Sequence, residues 1–294
     1  MKAHKDTATA YAFLLPTLVI FFTLVIFPVL FSLFLSFTKW NFLSGWNGIK
    51  LIGLDNYAKL RTDIKFNQAV VNTFVYAVTV VPISIICALI LAYALNSKVF
   101  MKNFLRLCFF IPYISSMVAL AAVFKYLFRE INGPINLILE NVFRLKTLPQ
   151  WFTDDHLSKI PIITLLVWTS IGYELIIYMA SLQNISKSLY EAADIDGASA
   201  ATKFWKITVP LISPTTFYLV IVRLIGTFKL FTAVNIMTYG TAARANTSMV
   251  VRIYGDAFGS YKFGYASAES WVLFIIILAI TLIQFWGQKK WVHY

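Results

Sequence analysis

SLYEAADIDGASAATKFWKITVP, residues 188–210, is a polar, helix-forming island between two long apolar runs. It opens with Ser188-Leu-Tyr-Glu191, the spacing of a capping box. A serine hydroxyl at the N-cap accepts from the backbone N–H three residues on, and the glutamate reaches back. Ala192 and Ala193 then favour helix. Leu189, Ala192 and Ala193 stand at i, i+3 and i+4 and share one face. Gly197 lacks the Cβ that penalises left-handed backbone, so it breaks or bends the helix. Pro210 closes the island. The pattern predicts a short capped helix, a glycine hinge and a second short segment. Together these form a docking knob at a membrane surface or an ordinary amphipathic loop between two spans. The rest of the chain decides between them.

Of 294 residues, 59% are hydrophobic and only 13% are charged. Soluble domains carry about a quarter charged residues, so this is a polytopic membrane protein. The formal net charge of +12 fits basic residues flanking membrane spans rather than a nucleic-acid surface. Cys87 and Cys108 both lie in apolar runs, and the histidines His4, His156 and His293 are scattered. Neither a disulfide framework nor a metal site follows.

A span needs about 20 mostly apolar residues. The expected spans are 11–37, 69–95, 104–128, 160–183, 208–231 and 268–286. The first follows Lys2 and Lys5 but is longer than the roughly 7–15 apolar residues of a signal peptide, so it reads as a retained span. Pro16, Pro28, Pro82, Pro112, Pro210 and Pro214 fall in or at the edge of these runs. Membrane helices tolerate proline because neighbours re-satisfy the freed backbone groups, so bent helices are expected.

Six spans put both termini on one side. The turn at 96–106 and the loop at 184–207 share that side, with Lys98, Lys102, Arg106, Lys187, Lys203 and Lys206. The longer loops on the other side carry basic residues at lower density, so the termini and the 184–207 loop are expected in the cytoplasm. Trp40, Trp46, Trp151 and Trp271 sit near span boundaries, as an interfacial belt requires.

The chain has no GxxxxGK[ST] phosphate loop and none of the common catalytic constellations. If it moves a solute actively, the energy comes from a partner or an ion gradient. Glu174 lies in the fourth run, and Arg223 and Lys229 lie in the fifth. An ionisable group at membrane depth costs about 2.5–3.5 kcal/mol and faces a bundle interior or a water-filled cavity. Glu174 and Arg223 are therefore a structural ion pair, part of a pathway, or both. Tyr173, Trp168, Thr227 and Asn235 add aromatic and hydrogen-bonding groups on the same runs, suited to a sugar if they are not simply core.

Glu191-Ala192-Ala193, Gly197, Ile207, Val209 and Pro210 reproduce the spacing EAA-x3-G-x9-I-x-L-P, with valine for leucine. This resembles the EAA motif of ABC importer permeases. GLDNYAKL at 53–60, NTFVYAVTVVP at 72–82 and LQNISKSLYEAA at 182–193 resemble the carbohydrate-uptake type, of the maltose- and glycerol-phosphate-permease kind. The resemblance implies one all-α transmembrane domain over 1–294 with the type I importer permease fold. It implies that a separate ATPase, which binds ATP and Mg, docks on Leu189, Glu191, Ala192, Ala193, Gly197, Ile207 and Pro210. It also implies a second homologous permease, an extracytoplasmic substrate-binding protein, and no cofactor or catalytic residue in this chain. The expected place is the plasma (inner) membrane of a bacterium or archaeon. For the substrate pathway it implies Tyr173, Glu174, Arg223, Gly226, Thr227 and Leu230. Arg223 and Leu230 depart from the small polar and amide groups of the family, and an arginine there would favour an acidic sugar. Two alternatives stand beside this reading. One is an ion-coupled secondary transporter using Glu174. The other is a membrane enzyme, which the lack of a polar catalytic cluster disfavours.

Overall fold

The computed structural model describes residues 2–96, 101–238, 246–290 and 292. Lys98 and His293 lie outside them. In chain order the helices and strands are α1 (Lys2–Phe21), α2 (Phe27–Ser36), β1 (Thr38–Lys39), β2 (Lys50–Leu51), α3 (Asp55–Thr62), α4 (Ile64–Asn96), α5 (Lys102–Ile114) and α6 (Met117–Leu127). They continue as α7 (Pro134–Asn141), α8 (Ile160–Gln183), α9 (Lys187–Ile195), α10 (Ala200–Lys203), α11 (Val209–Leu211), α12 (Ser213–Phe228), α13 (Thr232–Thr238), α14 (Met249–Tyr254) and α15 (Phe263–Gly287). Phe13–Ser36, α4, α8 and α15 are each long and apolar enough to cross a membrane.

The other two expected spans are not straight helices. α5 and α6 meet at 95°, and the segment Ala200–Leu211 meets α12 at 64°. The first break follows from Pro112 in the last turn of α5, after which Ser115 and Ser116 turn to extended backbone. The second sits at Ile212, between Pro210 and Pro214. Pro214 has no N–H to continue the ladder and its ring crowds the preceding turn.

Two other prolines are absorbed by widening the helix. Phe27, just before Pro28, donates its N–H back five residues to the Phe22 carbonyl. Val209, just before Pro210, donates in the same way to Phe204. Each wide turn, Phe22–Ile26 and Phe204–Thr208, carries the extra residue of a π-bulge. The helix thus continues where proline removes an ordinary bond.

The contacts divide the chain into two units, Met1–Asp63 with Ile253–Phe274 and Ile64–Arg252 with Ile275–Tyr294. In the first, β1 pairs antiparallel with β2, Thr38 opposite Leu51. Asn56 of α3 is buried and its amide donates to the Ser36 and Thr38 carbonyls at 2.8 and 2.9 Å. Tyr57 donates to the Ser36 hydroxyl at 2.8 Å. These bonds explain the local sequence around Asn56: its side chain satisfies carbonyls that the end of α2 leaves without partners. Gly264 lies so close to the Thr38 carbonyl that a Cβ there would overlap it.

In the second unit, α4 is the central helix. Ala69, Ala77, Ala88 and Ala92 are all buried along it. Small residues let helix backbones approach closely where lipid offers no hydrophobic drive for association. One core cluster gathers Tyr76, Val80, Ile162, Leu165, Val234 and Met237, and another gathers Val81, Ile85, Leu175, Tyr178 and Leu219. Tyr76 donates to the Asn246 carbonyl, Asn72 to the Thr247 carbonyl, and the Met249 N–H to the Thr73 hydroxyl. The NTFVYAV segment thereby anchors residues 246–249 on α4.

Candidate functional site

The 188–210 stretch folds into a projecting turn of helices. α9 starts two residues earlier than the capping-box spacing predicts. Its N-cap is Ser186, and Ser188 lies in the first turn with its hydroxyl 2.7 Å from that of Ser186. No side-chain cap bond forms, so the Ser188–Glu191 box is not made. The cause is the short connection: α8 ends with its C-cap at Asn184, and Ser186 is already extended.

The far end follows the sequence closely. Gly197 takes φ +70, and a Cβ there would meet open space, so backbone conformation rather than crowding selects glycine. Its N–H donates to Asp194 and the Ala198 N–H to Ala193, which closes a Schellman cap. Ser199 then caps α10, accepting from the Thr202 N–H at 3.2 Å. Leu189, Glu191 and Ala192 are exposed, Ala193 is half-buried, Ile207 lies in the wide turn and Pro210 in α11. Ile195 and Trp205 are exposed as well, 88% and 66%, giving the knob a bare apolar rim.

Three contacts brace the knob, one of them onto the bundle. The Tyr190 and Thr208 hydroxyls lie 2.8 Å apart, and Thr208 is fully buried in the wide turn. Phe204 packs edge-on to Tyr93 of α4, ring centres 4.8 Å apart. Lys203 pairs with Asp194, joining α10 to α9.

Deeper in the same unit, α8 and α12 bring Glu174 and Arg223 together. The Arg223 Nε donates to the Glu174 Oε1 at 2.7 Å, and the Ser84 hydroxyl donates to the same oxygen at 3.0 Å. Arg223 also reaches the Ser170 carbonyl at 3.4 Å. Glu174 is fully buried. The pair therefore bolts α4, α8 and α12 at one point. Tyr178 to Thr216 and Thr215 to Ser181 add hydroxyl bonds between α8 and α12.

Tyr173 is beside this pair but faces outward from it. Its hydroxyl lies 3.1 Å from that of Tyr218, and its ring stacks on Tyr113 with centres 5.2 Å apart. Tyr113 and Tyr218 are 44% and 48% exposed, so the three tyrosines form an open aromatic face. Tyr218, Val222 and Gly226 step along α12 at four-residue intervals, all exposed. Gly226 faces open space. Thr227 is buried, its hydroxyl bonded to the Arg223 carbonyl at 2.8 Å. Leu230 lies in the core beside Leu165 and Val234. Leu230, which the family resemblance put on the pathway, follows the end of α12 at Phe228. Tyr113 and Tyr218 were not singled out from the sequence. The four-residue step back from Gly226 points to Tyr218, and no comparable signal marks Tyr113.

Long apolar helices, a broken third and fifth span and a projecting glycine-closed knob define an integral membrane protein with the importer permease fold. The chain superposes with TM-score 0.82 on one from a bacterial ABC transporter involved in the import of the acidic polysaccharide alginate, with 22% identity over 98% of both chains. It belongs to the family described as the binding-protein-dependent transport system inner membrane component, matched over residues 80–290. Among its relatives, the probable ABC transporter permease YurN of Bacillus subtilis is 35% identical over 96% of each chain. The lactose transport system permease LacF of Rhizobium radiobacter is 33% identical, over 99% of this chain and 97% of its own length. These relatives are named as transport permeases, not enzymes.

Proposed function

We propose that this chain is the permease subunit of an ATP-driven sugar importer, coupled to a separate ATPase through α9. The observation that carries the reading is the exposed α9 helix, closed by Gly197, held to the wide turn by Tyr190 and Thr208 and seated on α4 through Phe204 and Tyr93. Leu189, Glu191, Ala192, Ala193 and Gly197 form its docking face, and Ile207 and Pro210 lead the movement into α12. The ATPase binds ATP and Mg; a second homologous permease completes the pathway. The denser basic residues on their side support a cytoplasmic 184–207 loop and cytoplasmic termini. Closure of the ATPase dimer swings α9 as a lever, and the bundle alternates between inward- and outward-facing forms.

The sugar assignment draws on relatives named for lactose and for multiple sugars. An external binding protein delivers the solute; a solved relative of 22% identity carries such a protein loaded with an alginate pentasaccharide. Tyr173, Tyr113 and Tyr218 supply ring surfaces and hydroxyls that suit a sugar, and Gly226 leaves open space beside them. An ion-coupled mechanism at Glu174 is disfavoured, because Arg223 and Ser84 both bind its Oε1 and Arg223 balances its charge, although Oε2 has no hydrogen-bond partner among the described residues.

Glu191→Arg is the direct test. Co-purification of the ATPase and ATP-driven uptake by the reconstituted complex are both expected to fall at least about tenfold, as for an interface contact at a hot spot. Unchanged assembly and uptake would overturn the proposal.

A further inference from the structure

We propose that the groove between α5 and α8 is a second, inner binding subsite on the solute's path, electropositive and suited to a hydroxyl-rich solute bearing a carboxylate or phosphate. This rests on the transport reading above. The cavity has a volume of about 450 Å³, within the roughly 300–1,000 Å³ of small-molecule sites. Its walls are Phe110, Ile176 and Met179, and its polar groups are Asn103, Arg106 and Gln183.

Helical spacing makes the groove continuous with the tyrosine face. On α8, Tyr173, Ile176, Ala180 and Gln183 step by three, four and three residues, which keeps one face. On α5, Tyr113, Phe110, Arg106 and Asn103 step back in the same way. Phe110 also touches Tyr113, ring centres 5.7 Å apart, and Tyr113 stacks on Tyr173. From Tyr173 to Gln183 is about 15 Å at 1.5 Å per residue. Gln183 is the last residue of α8, at the end that leads into α9. The groove therefore runs from the tyrosines toward the coupling side.

Charge identifies the ligand. Among the described residues no carboxylate lines the groove. The Arg106 Nε meets only the Met179 sulfur, at 3.2 Å, and among the described residues Arg106 forms no ion pair. A thioether is a weak acceptor, so the guanidinium keeps most of its donors for an oxygen-rich ligand. Asn103 and Gln183 add amide donors and acceptors. An anionic group on the solute thus meets its cation here rather than at Arg223, whose charge Glu174 already balances.

The test needs no knowledge of the solute. Ala180, exposed in the groove, is changed to cysteine in a Cys87→Ala, Cys108→Ser background, and the complex is placed in inside-out vesicles. Two thiosulfonates of similar size, one anionic (MTSES) and one cationic (MTSET), probe the site. Both are expected to react at rest, the anionic one about tenfold faster because a charged cleft concentrates counter-ions. Arg106→Gln removes that preference and Arg106→Lys keeps it. Trapping with ATP and vanadate slows both reagents at least about tenfold, as the path closes to the cytoplasm.

No reaction with either reagent would mean that lipid or the paired permease covers the groove, and would overturn the proposal. A preference indifferent to Arg106→Gln, or reaction unaffected by vanadate, would overturn it too. If the ATPase fails to assemble, the transport reading falls instead, while the reagent preference of the permease alone still reads the groove.

Discussion

Arg223 and Arg106 lie on either side of one tyrosine cluster, and the bundle treats them in opposite ways. Arg223 holds a fully buried carboxylate at 2.7 Å that a serine also serves. Among the described residues Arg106 bonds only to the Met179 sulfur. The difference separates two uses of charge in a membrane protein. A cation whose charge is answered inside the protein fixes helices and has little left to offer a solute. One that meets only a thioether adds little rigidity and stays open to binding. The identity of an arginine in an apolar run therefore says less than the identity of its neighbour.

The largest expected effect breaks the first half of that contrast. Glu174→Leu leaves the half-buried Arg223 guanidinium without its carboxylate and should cost about 3 kcal/mol, read as a fall in melting temperature or yield in detergent. The double change Glu174→Leu, Arg223→Met should recover stability to within about 1 kcal/mol, since apolar replacement of a whole buried pair is often neutral. If the double variant is as unstable as the single, the pair is more than a bolt. A middle effect is expected at Gly172, beside Tyr173. A Cβ there would overlap the Phe109 carbonyl, so Gly172→Ala should force α5 from α8 at a cost of about 1–3 kcal/mol. The smallest is Arg106→Gln, expected to change stability by less than about 0.5 kcal/mol because no packed partner loses its charge. A loss above about 2 kcal/mol in the same melting assay would make Arg106 structural after all, like Arg223.

An all-helical membrane fold was legible because apolar runs of span length have few other uses. The Glu174–Arg223 contact was legible as one alternative, since an ion at that depth must find a partner. Gly197 was legible through its backbone preference, and its φ of +70 bears this out. The bends were only half visible. Six prolines marked the runs, yet Pro28 and Pro210 are absorbed by wide turns while Pro112 and Pro214 accompany breaks. That outcome depends on whether the backbone finds a five-residue bond, which composition does not reveal. Leu230 entered through the family resemblance, and a resemblance does not reveal that α12 ends at Phe228 and that Leu230 packs into the core. Tyr113 and Tyr218 were missed because 17% of the chain is aromatic, so a single tyrosine carries no flag.

The wide turn at Phe204–Thr208 has a geometric consequence. It holds one residue more than an ordinary helix needs, and an α-helix turns about 100° per residue. Wound as ordinary α-helix with the same number of residues, the preceding segment would swivel through about that angle relative to α11. Tyr190 would lose its aim at Thr208, and the face bearing Glu191 would point elsewhere. The spacing between Gly197 and Pro210 is thus an angular setting, chosen in steps of a whole residue, that decides which way the knob looks.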